Sequence, residues 1–298
     1  MIQKTILSFI AIGLFGMAPS AIAEDIDERN SADAEGHVHV SNTAGTITVI
    51  GWDENEVEVT GTLGDGTKGL EFKREGRHTT VKVLYQRGSH RSESSHLIVH
   101  VPERSELAVN GVATDIEVSG VKGAQRLETI SGEITAETFA SDLEAKSVSG
   151  DMVIKGHGHE SLLTVSTVSG DTEISGVAGE LETTTVSGDV EIQAGTISRA
   201  RLRTTSGDVE IDADLAAGGR IDSETINGEI TVNLTDGTDL EVDLETFNGD
   251  IENCFGEKVE RRSRYGPGRL LRFSRGDADR TVRLKTLNGE IELCAEEF

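Results

Sequence analysis

Thr185-Val186-Ser187-Gly188-Asp189-Val190-Glu191-Ile192 is a phrase that the chain uses repeatedly, with a near copy at Thr167-Val168-Ser169-Gly170-Asp171-Thr172-Glu173-Ile174. Its glycine falls at Gly132, Gly150, Gly170, Gly188, Gly207, Gly228, Gly249 and Gly289. The steps are 18, 20, 18, 19, 21, 21 and 40 residues, so the last gap spans about two periods. Self-similarity at a period near twenty is the mark of a solenoid, in which each unit stacks on its neighbour.

Aligning the copies on the glycine fills further columns. Three residues before it stands a hydroxyl: Thr129, Ser147, Thr167, Thr185, Thr204, Thr225, Thr246 and Thr286. Five and seven before it are mostly small or aliphatic residues, such as Leu163 with Val165. Two and four after it are mostly apolar, as in Val190 with Ile192 and Ile291 with Leu293. Apolar residues two apart on both sides of the glycine describe two short strands that each turn one face inward. The Ser/Asn-Gly-Asp/Glu between them reads as a corner, since glycine adopts positive φ freely and short polar side chains bond the local backbone. Hairpins would place each glycine in a reversing turn. Coils would stack like residues in ladders roughly 4.8 Å apart, which is what the Thr, Ser/Asn and Asp/Glu columns favour. The expectation is an all-β fold, a parallel β-helix with coils of about 18–21 residues, winding right-handed.

The rest of the chain is organised around this array. Residues 1–23 read as a cleaved targeting segment: Lys4, a short apolar core from Ile6 to Met17, then Ala21-Ile22-Ala23. Residues 24–36 read as a polar lead-in, and 37–298 as one solenoid domain. Within it, 37–124 are degenerate coils, 125–251 the regular repeats, and 252–298 the C-terminal coils with a basic insertion. Gly45 stands at an early corner, and Leu107 to Val118 is a worn copy with Thr114 in the glycine's place. Cys254 and Cys294 each lie five residues after a repeat glycine. With residues 255–280 as an excursion, these two would meet on neighbouring coils, and an exported chain allows the disulfide.

The formal charge is −25, and loss of Lys4 with the targeting segment leaves 27 basic against 53 acidic residues, or −26. So negative a chain repels nucleic acid, and permits divalent cations, cationic peptides or basic partners. The mature part holds no second long apolar run, so no transmembrane segment is expected. The expected location is the periplasm or the cell surface.

One resemblance bears on function. Val38-x-Val40-x-Asn42-x-x-Gly45-x-Ile47-x-Val49, followed by Gly51-Trp52-Asp53, is similar to the opening of the bacterial β-strand-repeat domains called putative adhesins. Val99-His100-Val101-Pro102, the serial Ser-Gly-Asp corners and Lys285-Thr286-Leu287-Asn288-Gly289-Glu290-Ile291 resemble them too. The likeness covers about residues 36–295, in a domain-of-unknown-function family comparable to autotransporter-adhesin head domains. It implies an exported β-solenoid without catalytic residues.

The residues themselves point the same way. Serine catalysis needs one activated serine, whereas here the serine recurs at successive corners and is sometimes asparagine. No enzyme is expected. The acidic column offers Asp151, Asp171, Asp189 and Asp208 as candidate calcium ligands. The glycine-rich nonapeptide of calcium-binding β-rolls is absent, so the expectation is that they accept corner N–H bonds and that no cofactor is needed. His37 and His39 share a strand face, but no third metal ligand is identifiable. Arg261, Arg262, Arg264, Arg269 and Arg272 form a basic island that could meet an anionic envelope component, or fold back along the protein's own carboxylates. The leading expectation is a non-enzymatic envelope adhesin or binding scaffold presenting a repetitive acidic surface. The alternative is a periplasmic stress or regulatory module that binds cationic peptides or a partner protein.

Overall fold

The computed structural model describes residues 24–86, 94–263 and 266–295. The targeting segment, residues 87–93, Arg264 and Tyr265, and the last three residues lie outside them.

Within the repeats, inward and outward positions alternate up to the corner, as in residues 125–130 and Ile134–Thr138. Inward side chains are mostly aliphatic, with a buried hydroxyl before each corner, so each strand buries one face and the pair closes a thin core. The same registers carry from coil to coil. Leu127 lies beside Ala145, and Ala145 beside Val165. In the second sheet Ile134 lies beside Met152, Met152 beside Thr172, and Thr172 beside Val190. All these pairings are parallel, so the fold is a β-solenoid. Later coils carry longer strands, Val190–Arg203 and Val209–Asn227, which continue through the third side and bury Ile197 and Leu215 there.

The stack does not follow chain order at either end. Arg280–Asn288 pairs with Val209–Asn227 on one side and with Leu240–Asn248 on the other. The last coil is therefore inserted beneath the coil that precedes it in sequence. The N-terminus mirrors this: His37–Ser41 lies between His78–Tyr85 and Glu106–Asn110, and Ala44–Trp52 between Ser95–Pro102 and Ala113–Ser119. Simple in-order stacking holds only between. Asn42 fixes the N-terminal arrangement: its amide donates to the carbonyls of Ala44 (2.9 Å) and Ser95 (3.1 Å), and its oxygen accepts from Thr43 N–H and Tyr85 O–H.

Antiparallel strands close both ends. The polar lead-in expected over 24–36 is instead a strand, Glu24–Ser31, antiparallel to Glu56–Leu63, which is itself antiparallel to Ser95–Pro102. Its polarity is that of an edge: backbone pairing holds it on one side, Ile26 is buried, and its charges discourage a further strand from adding. Arg29 reaches Glu58 (2.5 Å) and sits 5.5 Å over the Trp52 ring. At the other end the excursion 255–280 lays Arg269–Ser274 antiparallel on Leu240–Asn248. Reversed direction at both ends breaks the parallel register that end-to-end stacking of two molecules would need.

The inserted coil is latched at its start. Arg280 donates to the Asp236 carboxylate at 2.7 Å, and Thr238 donates to the same side chain through its N–H and its hydroxyl, each at 2.8 Å. Arg280 first, then Thr238, holds the Asp236 pKa down at about 2. A carboxylate whose pKa is lowered on folding contributes stability that is complete above its ordinary value and is lost as pH falls towards the folded one. Asp236→Asn should therefore flatten the decline in urea stability between about pH 4 and pH 2. An unchanged slope over that window would show that the latch contributes nothing.

Candidate functional site

The corner is the repeated unit from which the outer surface is built. Its glycines hold φ between +134° and +154° at Gly132, Gly150, Gly170, Gly188, Gly207, Gly228 and Gly289. Each glycine N–H donates to the carbonyl of the Ser or Asn on the next coil, as Gly188 does to Ser206 at 3.1 Å. The following N–H has no such carbonyl and uses a side chain instead. Asp171 N–H donates to Asp151 Oδ1 (2.9 Å), Asp189 to Asp171 (2.9 Å), Asp208 to Asp189 (2.8 Å), and Glu229 to Asp208 (2.8 Å). The four candidate calcium ligands thus each hold a corner N–H of the neighbouring coil while facing outward. In the last three coils asparagine replaces serine, and a side-chain ladder forms: Asn288 to Asn227 and Asn248 to Asn288, both 2.9 Å. Glu290, stacked between Glu229 and Asp250, has its carboxyl pushed up, by partial burial first and then by Glu252 and those two neighbours.

The hydroxyl column lies inside. In the last coils it serves the adjacent coil's corner carbonyl: Thr286 donates to Gly228 O (3.1 Å) and Thr246 to Gly289 O (3.0 Å). Placing the hydroxyl inward forces the next residue outward, and in every regular repeat but that of Thr205 it is large and apolar. In stack order the column reads Val112, Ile130, Val148, Val168, Val186, Thr205, Ile226, Leu287 and Phe247. Its apolar members are 44% to 54% exposed, whereas most of the other described aliphatics are buried. Sequence reasoning took the columns on either side of it and missed this one. The signal was there in the alignment, because a hydroxyl followed by an aliphatic inverts the alternation of the strand just before each corner.

The profile of the Toastrack DUF4097 family matches residues 24–294. The chain belongs to that family. Among solved structures, a putative lipid binding protein from Parabacteroides distasonis is similar at 14% identity, over 90% of this chain and 96% of that one, with a TM-score of 0.50. A putative adhesin from Bacteroides fragilis (12% identity, 93% and 100% covered, TM-score 0.40) and one from Parabacteroides distasonis (11%, 91% and 97%, TM-score 0.39) are more distant in shape. At these identities the likeness speaks to fold alone. No curated protein sequence matches the chain.

In this Toastrack chain the basic island is largely engaged internally. Arg262 pairs with Glu245, Arg269 with Asp250 (3.1 Å) and Arg272 with Asp243 (2.9 Å), while Arg275 lies 5.1 Å over the Phe255 ring. Arg261 is exposed, and Arg264 lies outside the described residues. These arginines tie the antiparallel cap to the outermost coil. Cys254 and Cys294 form a disulfide with a Cα–Cα distance of 4.8 Å, the spacing of stacked coils.

His37 and His157 are likewise engaged. His37 stacks on His78 with centroids 4.6 Å apart, and its Nδ1 lies 2.7 Å from the Glu106 carboxylate. His39 is half-buried, and burial first, then Lys82, pushes its pKa down. His157 stacks on Phe139. Among the described residues, no three His, Cys, Asp or Glu side chains converge so as to hold a metal ion. An outer groove of about 750 Å³ beside His37 and His78 is crossed by ordinary ion pairs, His37 with Glu106 and Arg126 with Glu144. No helix among the described residues is long and apolar enough to cross a membrane.

Proposed function

We propose that this protein is an exported, non-enzymatic binding scaffold of the cell envelope, acting as an adhesin-type module. It engages its target through contacts distributed along repeated columns. The observation that carries the reading is that each outward position of the corner recurs coil after coil: Ser or Asn, Asp or Glu, and a large aliphatic. Chemistry needs one unequal constellation, whereas a ladder offers the same weak contact many times, which suits avidity along an extended partner. The disulfide supports an oxidising compartment. The adhesin and lipid-binding designations of the similar structures agree with a binding role without identifying the target.

The net charge of −25 favours a second reading, a periplasmic module that captures cationic peptides or a basic partner. Location separates the two. Protease added to intact cells should digest a surface adhesin. A periplasmic module should be digested only after the outer membrane is opened osmotically. Protection in spheroplasts, with release only on lysis, would overturn export and both readings with it.

A further inference from the structure

The aliphatic column is the feature that neither folding nor the family explains. It runs from Val112 to Phe247 over nine rungs, about 38 Å at a coil spacing near 4.8 Å. A protein rarely leaves so long an apolar line in water, broken here at Thr205 alone, and such a line ordinarily marks a contact surface. Three residues further on, round the corner, the carboxylate column runs parallel to it from Glu133 through Asp189 to Asp250. On its other flank the outward side chains alternate in sign, for example Glu128, Lys146, Arg203 and Glu224, and give little net field.

We infer that this stripe and its acidic margin form a docking surface for a cationic amphipathic helix, an inference that rests on the scaffold reading and names its partner's chemistry. Charge selects among the occupants. A second copy would bring two acidic margins of a −25 protein together, and an anionic membrane would meet the same repulsion. Spacing selects the conformation. An α-helix advances about 5.4 Å per turn, so its i, i+3/i+4 apolar residues meet nearly one rung per turn. A strand repeats its face about every 6.7 Å and falls out of step within a few residues. With its apolar face on Val148, Val168 and Val186, such a helix would direct flanking lysines or arginines to Asp151, Asp171 and Asp189. This is the groove mode of helix recognition laid on a flat ladder.

The test uses the disulfide-bonded protein and two fluorescent peptides of about 18 residues, near five helical turns. One carries leucine on a single helical face with lysine elsewhere. The other has the same composition scrambled so that no apolar face forms. Anisotropy should show the amphipathic peptide binding at least about tenfold tighter than the scrambled one at roughly 0.15 M salt. The triple variant Val148→Thr, Val168→Thr, Val186→Thr should lose that preference. It should fold, because Thr205 already occupies this column. Asp151→Asn, Asp171→Asn, Asp189→Asn keeps the acceptor oxygens, and should weaken binding and reduce its salt dependence. Equal binding of both peptides, an unaffected threonine variant, or self-association or capture of phosphatidylglycerol vesicles in preference to the peptide would overturn the inference. Retention of the native protein on envelope fractions is measured alongside. If it persists while the peptides bind equally, the stripe falls and the scaffold stands; if it is lost too, both fall.

Discussion

Replacing Gly188 by alanine is expected to cost about 3–5 kcal/mol, far more than the same change at Gly218. Both glycines have positive φ, +135° and +71°. A Cβ on Gly188 would lie 2.1 Å from the carbonyl oxygen of Gly170 and 2.7 Å from its carbon, whereas one on Gly218 would meet nothing within 4 Å. The obstacle at Gly188 is backbone, and that oxygen belongs to the coil beneath, so relief requires the coils to part at the corner. Parting them weakens the bond from Gly170 N–H to Ser187 and the bond from Asp189 N–H to Asp171 together. Gly218→Ala carries only the conformational cost, about 1 kcal/mol. Urea unfolding of the two variants, side by side, checks this. Equal losses would mean that the corner glycines are selected for φ alone and that close approach of the coils is unimportant.

Removing the disulfide should have the next largest effect, and a local one. Cys254 and Cys294 are 40 residues apart in sequence, and the link closes the excursion that carries the antiparallel cap. Loop-closure entropy assigns about 4 kcal/mol to such a link. In a solenoid each coil touches only its neighbours, so the loss should appear as fraying of one end rather than as a lower stability throughout. The segment at risk is Leu240–Asn248 with Ile251–Asn253, the outermost coil, whose inner partner is the inserted last coil. In Cys254→Ser, Cys294→Ser, amide exchange should accelerate by two to three orders of magnitude over 240–275, estimated from that loop term with a discount for structure retained when reduced. Exchange at 143–192 should be unchanged. Uniform acceleration across the chain would contradict the quasi-one-dimensional picture.

Much of this molecule is legible in its residues because the fold is periodic. A β-solenoid stacks like on like, so its cross-section is written into the column statistics of one chain. The hydroxyl at Thr185, the apolar pairs at Val190 with Ile192, and the glycine at Gly188 each report a position that every coil shares. The disulfide followed from the same logic, since residues in one column of adjacent coils must be close. The acidic column was also readable as a corner feature, although which N–H each carboxylate holds required coordinates.

The stacking order was not legible. Nothing local distinguishes a coil that follows its predecessor from one inserted beneath it, because the registers of Asn227, Asn248 and Asn288 are equivalent. Which of them is central depends on where the excursion 255–280 lets the chain return, a long-range matter of packing and cap geometry. The lead-in over 24–36 misled for a related reason. Edge strands carry charge and little hydrophobic pattern, so Glu24–Ser31 resembles a loop until its partner strand is present. The sequence by itself determined the period, the inward face, the corner and the covalent staple, all properties of a single coil and its nearest repeat. Only the tertiary structure decided the order of the coils, the internal pairing of Arg262, Arg269 and Arg272, and the alignment of the outer apolar residues into one line. Those depend on what is brought alongside from far away in the chain, and hydrophobic periodicity carries no record of that.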